Sequence, residues 1–189
     1  VSPAYSLLSQ DFSKLRHVCD LLQPGLVFVS DAPAYQRAID AVLPADTPLI
    51  IVRGQVAGRR QVSFASLLEQ SGGAEAEAAF AATGPDSIAK FLFTSGSTRL
   101  PKAVITTQRM LCANQQMLLQ TFPVFGEEPP VLVDWLPWNH TFGGSHNLGI
   151  VLYNGGSFYL DDGKPTAQGF AQTLRNLKEV SPTAYLTVP

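Results

Sequence analysis

The chain has 189 residues, 46% hydrophobic and 15% charged, with a formal net charge of −2. That is a globular composition, large enough for one sizeable core or two lobes and with no basic run to address nucleic acid. The apolar runs are too short to span a bilayer, no signal peptide opens the chain, and Cys19 and Cys112 read as buried thiols rather than a disulfide, which fits a reducing, cytoplasmic setting.

In chain order, Val1 to Ser6 is a leading loop. Asp11 to Gln23 places Phe12, Leu15, Val18 and Leu22 on one face and predicts an amphipathic helix stopped by Pro24-Gly25. Leu26 to Ser30 is an apolar run suited to a buried parallel strand. Asp31 then caps a helix with Pro33 in its first turn and Ile39 and Val42 facing inward. Leu49 to Val52 is a second buried strand, followed by a polar loop through Gly58-Arg59-Arg60. Ser63 starts a short helix to Glu69, Glu75 to Ala82 is an alanine-rich helix, and Gly84-Pro85 resets the chain. Strands alternating with helices at this spacing predict an α/β fold of parallel sheets with flanking helices and right-handed crossovers.

Phe91 to Phe93 is an apolar strand, Val104 to Thr106 another, and between them runs T-S-G-S-T-R-L-P-K. Thr94, Ser95, Ser97 and Thr98 each supply a hydroxyl, Gly96 lets backbone approach a ligand, and Pro101 restrains the loop. With Lys102 adding an ammonium and no carboxylate in the stretch, this is a donor-rich cradle for a polyphosphate. It is not the P-loop of kinases and ATPases: counted from Gly96, the second glycine is replaced by Pro101, and Ala103 follows the lysine where Ser or Thr would bind magnesium.

Thr107 caps a predicted helix from Gln108 to about Thr121, with Met110, Leu111, Met117 and Leu118 inward and the methionines as core filling. Phe125 to Pro130 reads as a loop and Val131 to Trp135 as a strand. Thr141 to Tyr153 reads as a helix whose glycines permit close packing on its neighbours. Ser157 to Leu160 is a strand, 161–165 a turn, Ala167 to Glu179 a helix with Phe170, Leu174 and Leu177 inward, and Ala184 to Val188 a last strand. Between the strand and the glycine-rich helix lies L-P-W-N-H-T-F-G-G, centred on His140. Trp135, Trp138 and Phe142 beside it either stack on an aromatic acid or serve as core. Gly143-Gly-Ser-His-Asn147 lacks the last glycine of a nucleophile elbow, and His140 and His146 have no metal partners at suitable spacing.

The two motifs together resemble those of the adenylate-forming superfamily of acyl-CoA synthetases, luciferases and peptide-synthetase adenylation domains. The usual phosphate signature there, [YF]-T-S-G-[ST]-T-G-x-P-K-G, is matched at Phe93, Thr94, Ser95, Gly96, Ser97, Thr98, Pro101 and Lys102; Arg99 and Ala103 stand where glycine is usual. Arg99 either impairs the triphosphate site or pairs with a phosphate. The wording V-D-W-L-P-W-N-H-T-F-G-G and Y-N-G-G-S-F-Y-L-D-D-G-K-P is most similar to feruloyl-CoA synthetases.

The resemblance implies ATP, Mg2+ and coenzyme A as ligands of the full-length enzyme, a carboxylic acid of feruloyl type as substrate, and conversion of acid to acyl-adenylate and then to thioester. Thr94, Ser95, Gly96, Ser97, Thr98 and Lys102 are the implied ATP contacts, and His140 the implied catalytic residue at the substrate carboxylate. It also implies part of a large N-terminal domain: an α/β lobe over 1–106 ending in the phosphate loop, and the start of a second lobe over 107–189. No Y-G-x-[ST]-E segment follows, so this stretch alone is expected to lack full ligase activity. The competing expectation is a non-catalytic α/β fragment or degenerate homologue with an impaired ATP site.

Overall fold

The computed structural model describes residues 1–94, 100–164 and 166–188. Its first elements are α1 (Ala4–Leu7), α2 (Ser13–Leu22), β1 (Val27–Asp31), α3 (Ala32–Val42), β2 (Leu49–Arg53), β3 (Gln61–Ser63), α4 (Phe64–Leu68) and α5 (Ala74–Ala81). There follow β4 (Ile88–Phe93), β5 (Ala103–Thr107), α6 (Gln108–Thr121), α7 (Val124–Glu127), β6 (Val131–Asp134), a π-helical turn (Phe142–Asn147), α8 (Leu148–Asn154), β7 (Ser157–Leu160) and α9 (Phe170–Val180). The fold is mixed α/β with parallel sheets and flanking helices. The chain forms two compact units, Val1–Thr83 with Phe93–Ala103, and Gly84–Leu92 with Val104–Pro189.

In the first unit, β1, β2 and β3 form a parallel sheet in that order, with Val29 opposite Ile51 and Leu49 opposite Gln61. Strand β3 has only three residues, Q-V-S, too few for a periodic signal, and directly follows the polar loop through Arg60. Gln61 anchors that loop: its side chain accepts the Val56 N–H at 3.0 Å and donates to Val56 O at 3.2 Å. Asp31 caps α3 as the sequence predicts, accepting the Ala34 N–H at 3.3 Å, with proline in the first turn. At the other end, Arg59 donates to the carbonyls of Ile39, Leu43 and Pro44, supplying partners for acceptors that a helix terminus leaves open. The core is purely apolar: Val29, Ala32, Ile39, Leu43, Leu49, Ile51 and Val56. Helix α2 begins two residues later than the pattern suggests, because Asp11 accepts the Ser13 N–H at 3.1 Å while Phe12 takes a left-handed conformation (φ 54°).

In the second unit, β6 pairs in parallel with β7, Val131 opposite Ser157 and Asp134 opposite Leu160, and Leu132 bridges to Ala184. The last expected strand reduces to that bridge among the described residues. Phe125, Leu132, Ile150 and Val151 form the apolar core; Phe125 sits on the short helix α7, where a loop was expected.

Two helix faces differ from the sequence expectation, and in the same way. Helix α6 is capped by Thr107, whose Oγ1 accepts the Met110 N–H at 3.3 Å, but Met110 and Met117 are each 56% exposed and do not fill the core. Its inward stripe is Leu111, Asn114, Gln115 and Leu118, at helical spacing but rotated by one residue, with a polar pair in the middle. Helix α9 likewise turns Thr173, Asn176, Leu177 and Val180 inward and leaves Phe170 and Leu174 exposed. Cys112 lies on the outer face of α6 and is exposed, contrary to its reading as a buried thiol; Cys19 is half-buried, and burial pushes its thiol upward. Both are free. Among the described residues no helix is long and apolar enough to cross a membrane.

Candidate functional site

The T-S-G-S-T-R-L-P-K segment leaves β4 at Phe93 and the chain re-enters the sheet at Ala103; β4 and β5 pair with each other. Its neck is closed by two bonds between the same residues: Thr94 N–H donates to Lys102 O at 3.0 Å, and Lys102 N–H donates to Thr94 Oγ1 at 3.3 Å. The Thr94 oxygen therefore already accepts a backbone proton, while its hydroxyl proton stays available to a ligand. Pro101 is fully buried, and its carbonyl lies 2.9 Å from His17 Nε2 on α2. A carbonyl only accepts, so Nε2 carries the proton and ties the returning arm of the loop to the helix. Nothing in the sequence signals that tether, since His17 and Pro101 are far apart in the chain. Lys102 is exposed and makes no ion pair among the described residues. Ser95, Gly96, Ser97, Thr98 and Arg99 lie outside the described residues.

An exposed ammonium with no ion pair among the described residues, beside the closed neck of the loop, fits a phosphate ligand. Among the described residues no three His, Cys, Asp or Glu side chains come together to hold a metal ion.

The second motif follows β6. His140 is exposed, and its Nδ1 accepts the Phe142 N–H at 3.2 Å. In the neutral ring that leaves the proton on Nε2, so His140 presents a donor outward. The aromatic residues around it pair edge-to-face: Trp138 with Phe158 at 6.0 Å and Phe142 with His146 at 5.0 Å between ring centroids. Trp138 is 52% exposed, so it is not core filling; Trp135 is half-buried and donates from Nε1 to Thr187 Oγ1 at 3.2 Å.

What was expected as one helix over Thr141 to Tyr153 is a π turn followed by α8. The glycines do allow the close packing their spacing suggests. A Cβ at Gly144 would lie 2.0 Å from the Trp138 carbonyl oxygen, and one at Gly149 would lie 2.3 Å from Gln115 Nε2. Isolated π turns are rare and concentrate at functional sites, because the widened backbone must be held by something outside it.

Two buried carboxylates stand at the neighbouring ends of β6 and β7. Asp134 accepts the Leu136 N–H at 3.0 Å on Oδ1, but Oδ2 has no partner among the described residues; burial pushes its pKa above the ordinary carboxylate value. Asp161 is also penalised by burial, yet three donors outweigh that and hold it below the ordinary value. These are the Thr173 hydroxyl at 2.7 Å, Asn176 Nδ2 at 2.7 Å and the Gly163 N–H at 2.9 Å. Asp161 thus pins the turn after β7 to α9, which bears out the turn reading. Sequence offers little warning of Gln115 or Asp134 as buried polar groups or of Lys90 as a half-buried one; the lysine inside the apolar strand I-A-K-F-L-F is the one visible hint.

Parallel sheets with flanking helices in two units, with the T-S-G-S-T-x-x-P-K segment joining β4 to β5, make an adenylation-type fold. The AMP-binding enzyme family matches residues 1–189, and the chain belongs to that family. The medium-chain-fatty-acid–[acyl-carrier-protein] ligase TtuA of Teredinibacter turnerae is 39% identical over 71 residues, 38% of this chain and 11% of that protein. The putative fatty-acid–CoA ligase fadD25 of Mycobacterium tuberculosis is 37% identical over 76 residues, 38% of this chain and 13% of that protein. Among solved structures, the adenylation, ketoreductase and pseudo Asub multidomain structure of a keto acid-selecting NRPS module superposes with a TM-score of 0.69. That match has 22% identity and covers 98% of this chain and 14% of the other, a likeness of fold. The matched segments span a small part of these relatives' length.

Proposed function

We propose that the full-length protein carrying this segment is an ATP-dependent acid–thiol ligase. A carboxylate oxygen attacks the α-phosphorus of ATP, a P–O bond forms, and pyrophosphate leaves. The sulfur of coenzyme A then attacks the acyl carbon, the C–O bond to AMP breaks, and the thiol proton passes to solvent. The observation that carries this reading is the match of the AMP-binding family along residues 1–189, together with the hairpin neck and free ammonium of Lys102 at the phosphate motif.

In this reading the loop that ends the lobe over 1–106 serves the nucleotide and the segment over 107–189 serves the acid. Thr94, Ser95, Gly96, Ser97 and Thr98 donate to the phosphates, and Lys102 balances charge building on the departing pyrophosphate. His140 donates from Nε2 to the substrate carboxylate and orients it toward the α-phosphorus. The exposed Trp138 and the Phe142–His146 pair favour an aromatic acid of feruloyl type, with stacking as the recognition force. An aliphatic acid is the second reading, favoured by the two relatives named as fatty-acid ligases.

Acid-dependent exchange of pyrophosphate into ATP by the full-length protein, run with hydroxycinnamic and fatty acids, separates these. Exchange with ferulate or a close relative supports the aromatic reading, and exchange with fatty acids alone replaces it with the aliphatic one. A folded protein that exchanges with neither and binds no ATP is a degenerate homologue. In that case Arg99→Gly is expected to restore exchange.

A further inference from the structure

In an α-helix the Leu148 N–H would donate to the carbonyl four residues back, that of Gly144. Here it is shared between Gly143 O and Ser145 O and passes Gly144 O by. Gly144 O accepts instead from the Lys90 ammonium of β4, at 2.9 Å. The adjacent carbonyl, Ser145 O, also accepts from Gln115 Nε2 of α6, at 3.1 Å. Two successive carbonyls of the π turn thus take donors from two separate elements of the same unit.

One donor is buried and the other half-buried. Gln115 is 5% exposed, and burial pushes the Lys90 ammonium below its ordinary value. Lys90 makes no ion pair among the described residues, so the Gly144 carbonyl is what offsets its desolvation there. Gln115 Oε1 has no partner among the described residues. Turning the amide over would set that oxygen against the Ser145 carbonyl, so the orientation with Nε2 as donor is the favourable one. The absence of a Cβ at Gly149 admits the amide at all.

We propose that Lys90 and Gln115 are positioning residues for the acid site, occupying the Gly144 and Ser145 carbonyls so that residues 142–147 stay in π rather than α register. The inference rests on the reading that this segment receives the acid. Relaxation to the α register removes one residue of helical advance, which turns the preceding chain by about 100°. His140 and Phe142 would swing with it.

The test uses the full-length protein with Lys90→Met, Lys90→Arg, Gln115→Leu and the isosteric Gln115→Glu. Amide hydrogen exchange over residues 142–149 and pyrophosphate exchange with separate KM values for acid and ATP are the readouts. Lys90→Met and Gln115→Leu are expected to raise the acid KM about tenfold or more while the ATP KM stays within about twofold. Protection should be lost locally over 142–149 with cooperative melting retained, and Lys90→Arg should restore most of both. Should an apolar variant fail to fold, Gln115→Glu, which keeps the shape and removes the donor, is expected to show the same acid-specific rise. Wild-type acid KM and protection in the folded variants would overturn the inference. If the wild type exchanges with no acid, the functional reading has failed, and protection alone decides the clamp: lost in Lys90→Met supports it, unchanged refutes it.

Discussion

The two units bury different kinds of matter. The first packs Val29, Ala32, Ile39, Leu43, Leu49, Ile51 and Val56 into an apolar cluster, with Thr47 and the Arg59 side chain as its buried polar groups among the described residues. The second buries Thr106, Gln115, Asp134, Asn147, Asp161 and Thr173 among a smaller set of carbons. Apolar packing is non-directional and tolerates exchange of shape for shape, whereas each buried polar atom demands a partner at one distance and angle. The first unit is therefore built for stability and the second for geometry, and the π turn with its borrowed donors is the extreme of that second style.

That contrast can be broken from either side. Leu49, wholly buried in the first unit, should give the largest loss: Leu49→Ala is expected to cost about 2–5 kcal/mol in urea denaturation, with the ratio of acid to ATP KM unchanged. Gly144→Ala drives a Cβ into the Trp138 carbonyl and should cost about 1–3 kcal/mol. Unlike Leu49→Ala, it should also raise the acid KM. Gly25→Ala, with nothing within 4 Å of the added carbon, is the matched control and should stay within about 0.5 kcal/mol.

The two strand-end carboxylates sharpen the comparison. Asp161→Asn removes a charged acceptor from three donors and is expected to cost about 1 kcal/mol at neutral pH. Because Asp161 is held below its ordinary value, its contribution is present above that value and fades as pH falls through the folded one. Asp134 is raised by burial, so the sign reverses: its contribution is intact below the ordinary carboxylate value and is lost as pH rises through the folded one. Asp134→Asn, which keeps an acceptor for the Leu136 N–H, should therefore match or exceed wild-type stability at neutral pH, within about 0.5 kcal/mol. Any such gain should vanish in acid. Thermal melts of both variants across pH would show the two trends diverging.

The same contrast explains what the sequence makes legible. Elements of the first unit announce themselves by apolar periodicity and by local caps, as with Asp31 on α3 and Ser63 on α4. The exceptions are β3, too short to carry a period, and the single turn α1, where a leading loop was expected. In the second unit, pattern reading chose Met110 and Met117 over the stripe that contains Gln115, and Phe170 and Leu174 over the stripe that contains Thr173. Hydrophobic rank misleads when a helix turns a polar residue inward to serve a carbonyl or a carboxylate on another element. The π register is invisible for the same reason: it is decided by Lys90 and Gln115, 54 and 30 residues away in the chain from the carbonyls they hold. The family, by contrast, is legible in short motifs: T-S-G-S-T-x-x-P-K and the segment around His140 are consecutive residues, and the AMP-binding match bears out the superfamily they point to.

The division of labour between the phosphate arm and the acid segment is tested most directly by steady-state pyrophosphate exchange on Lys102→Met and His140→Ala in the full-length protein. Lys102→Met should raise the ATP KM and lower the maximal rate while leaving the acid KM near wild type. His140→Ala should raise the acid KM and lower the rate with the ATP KM little changed, each rate effect about tenfold or more. Identical changes in both constants for both variants, or no change in either, would contradict the account.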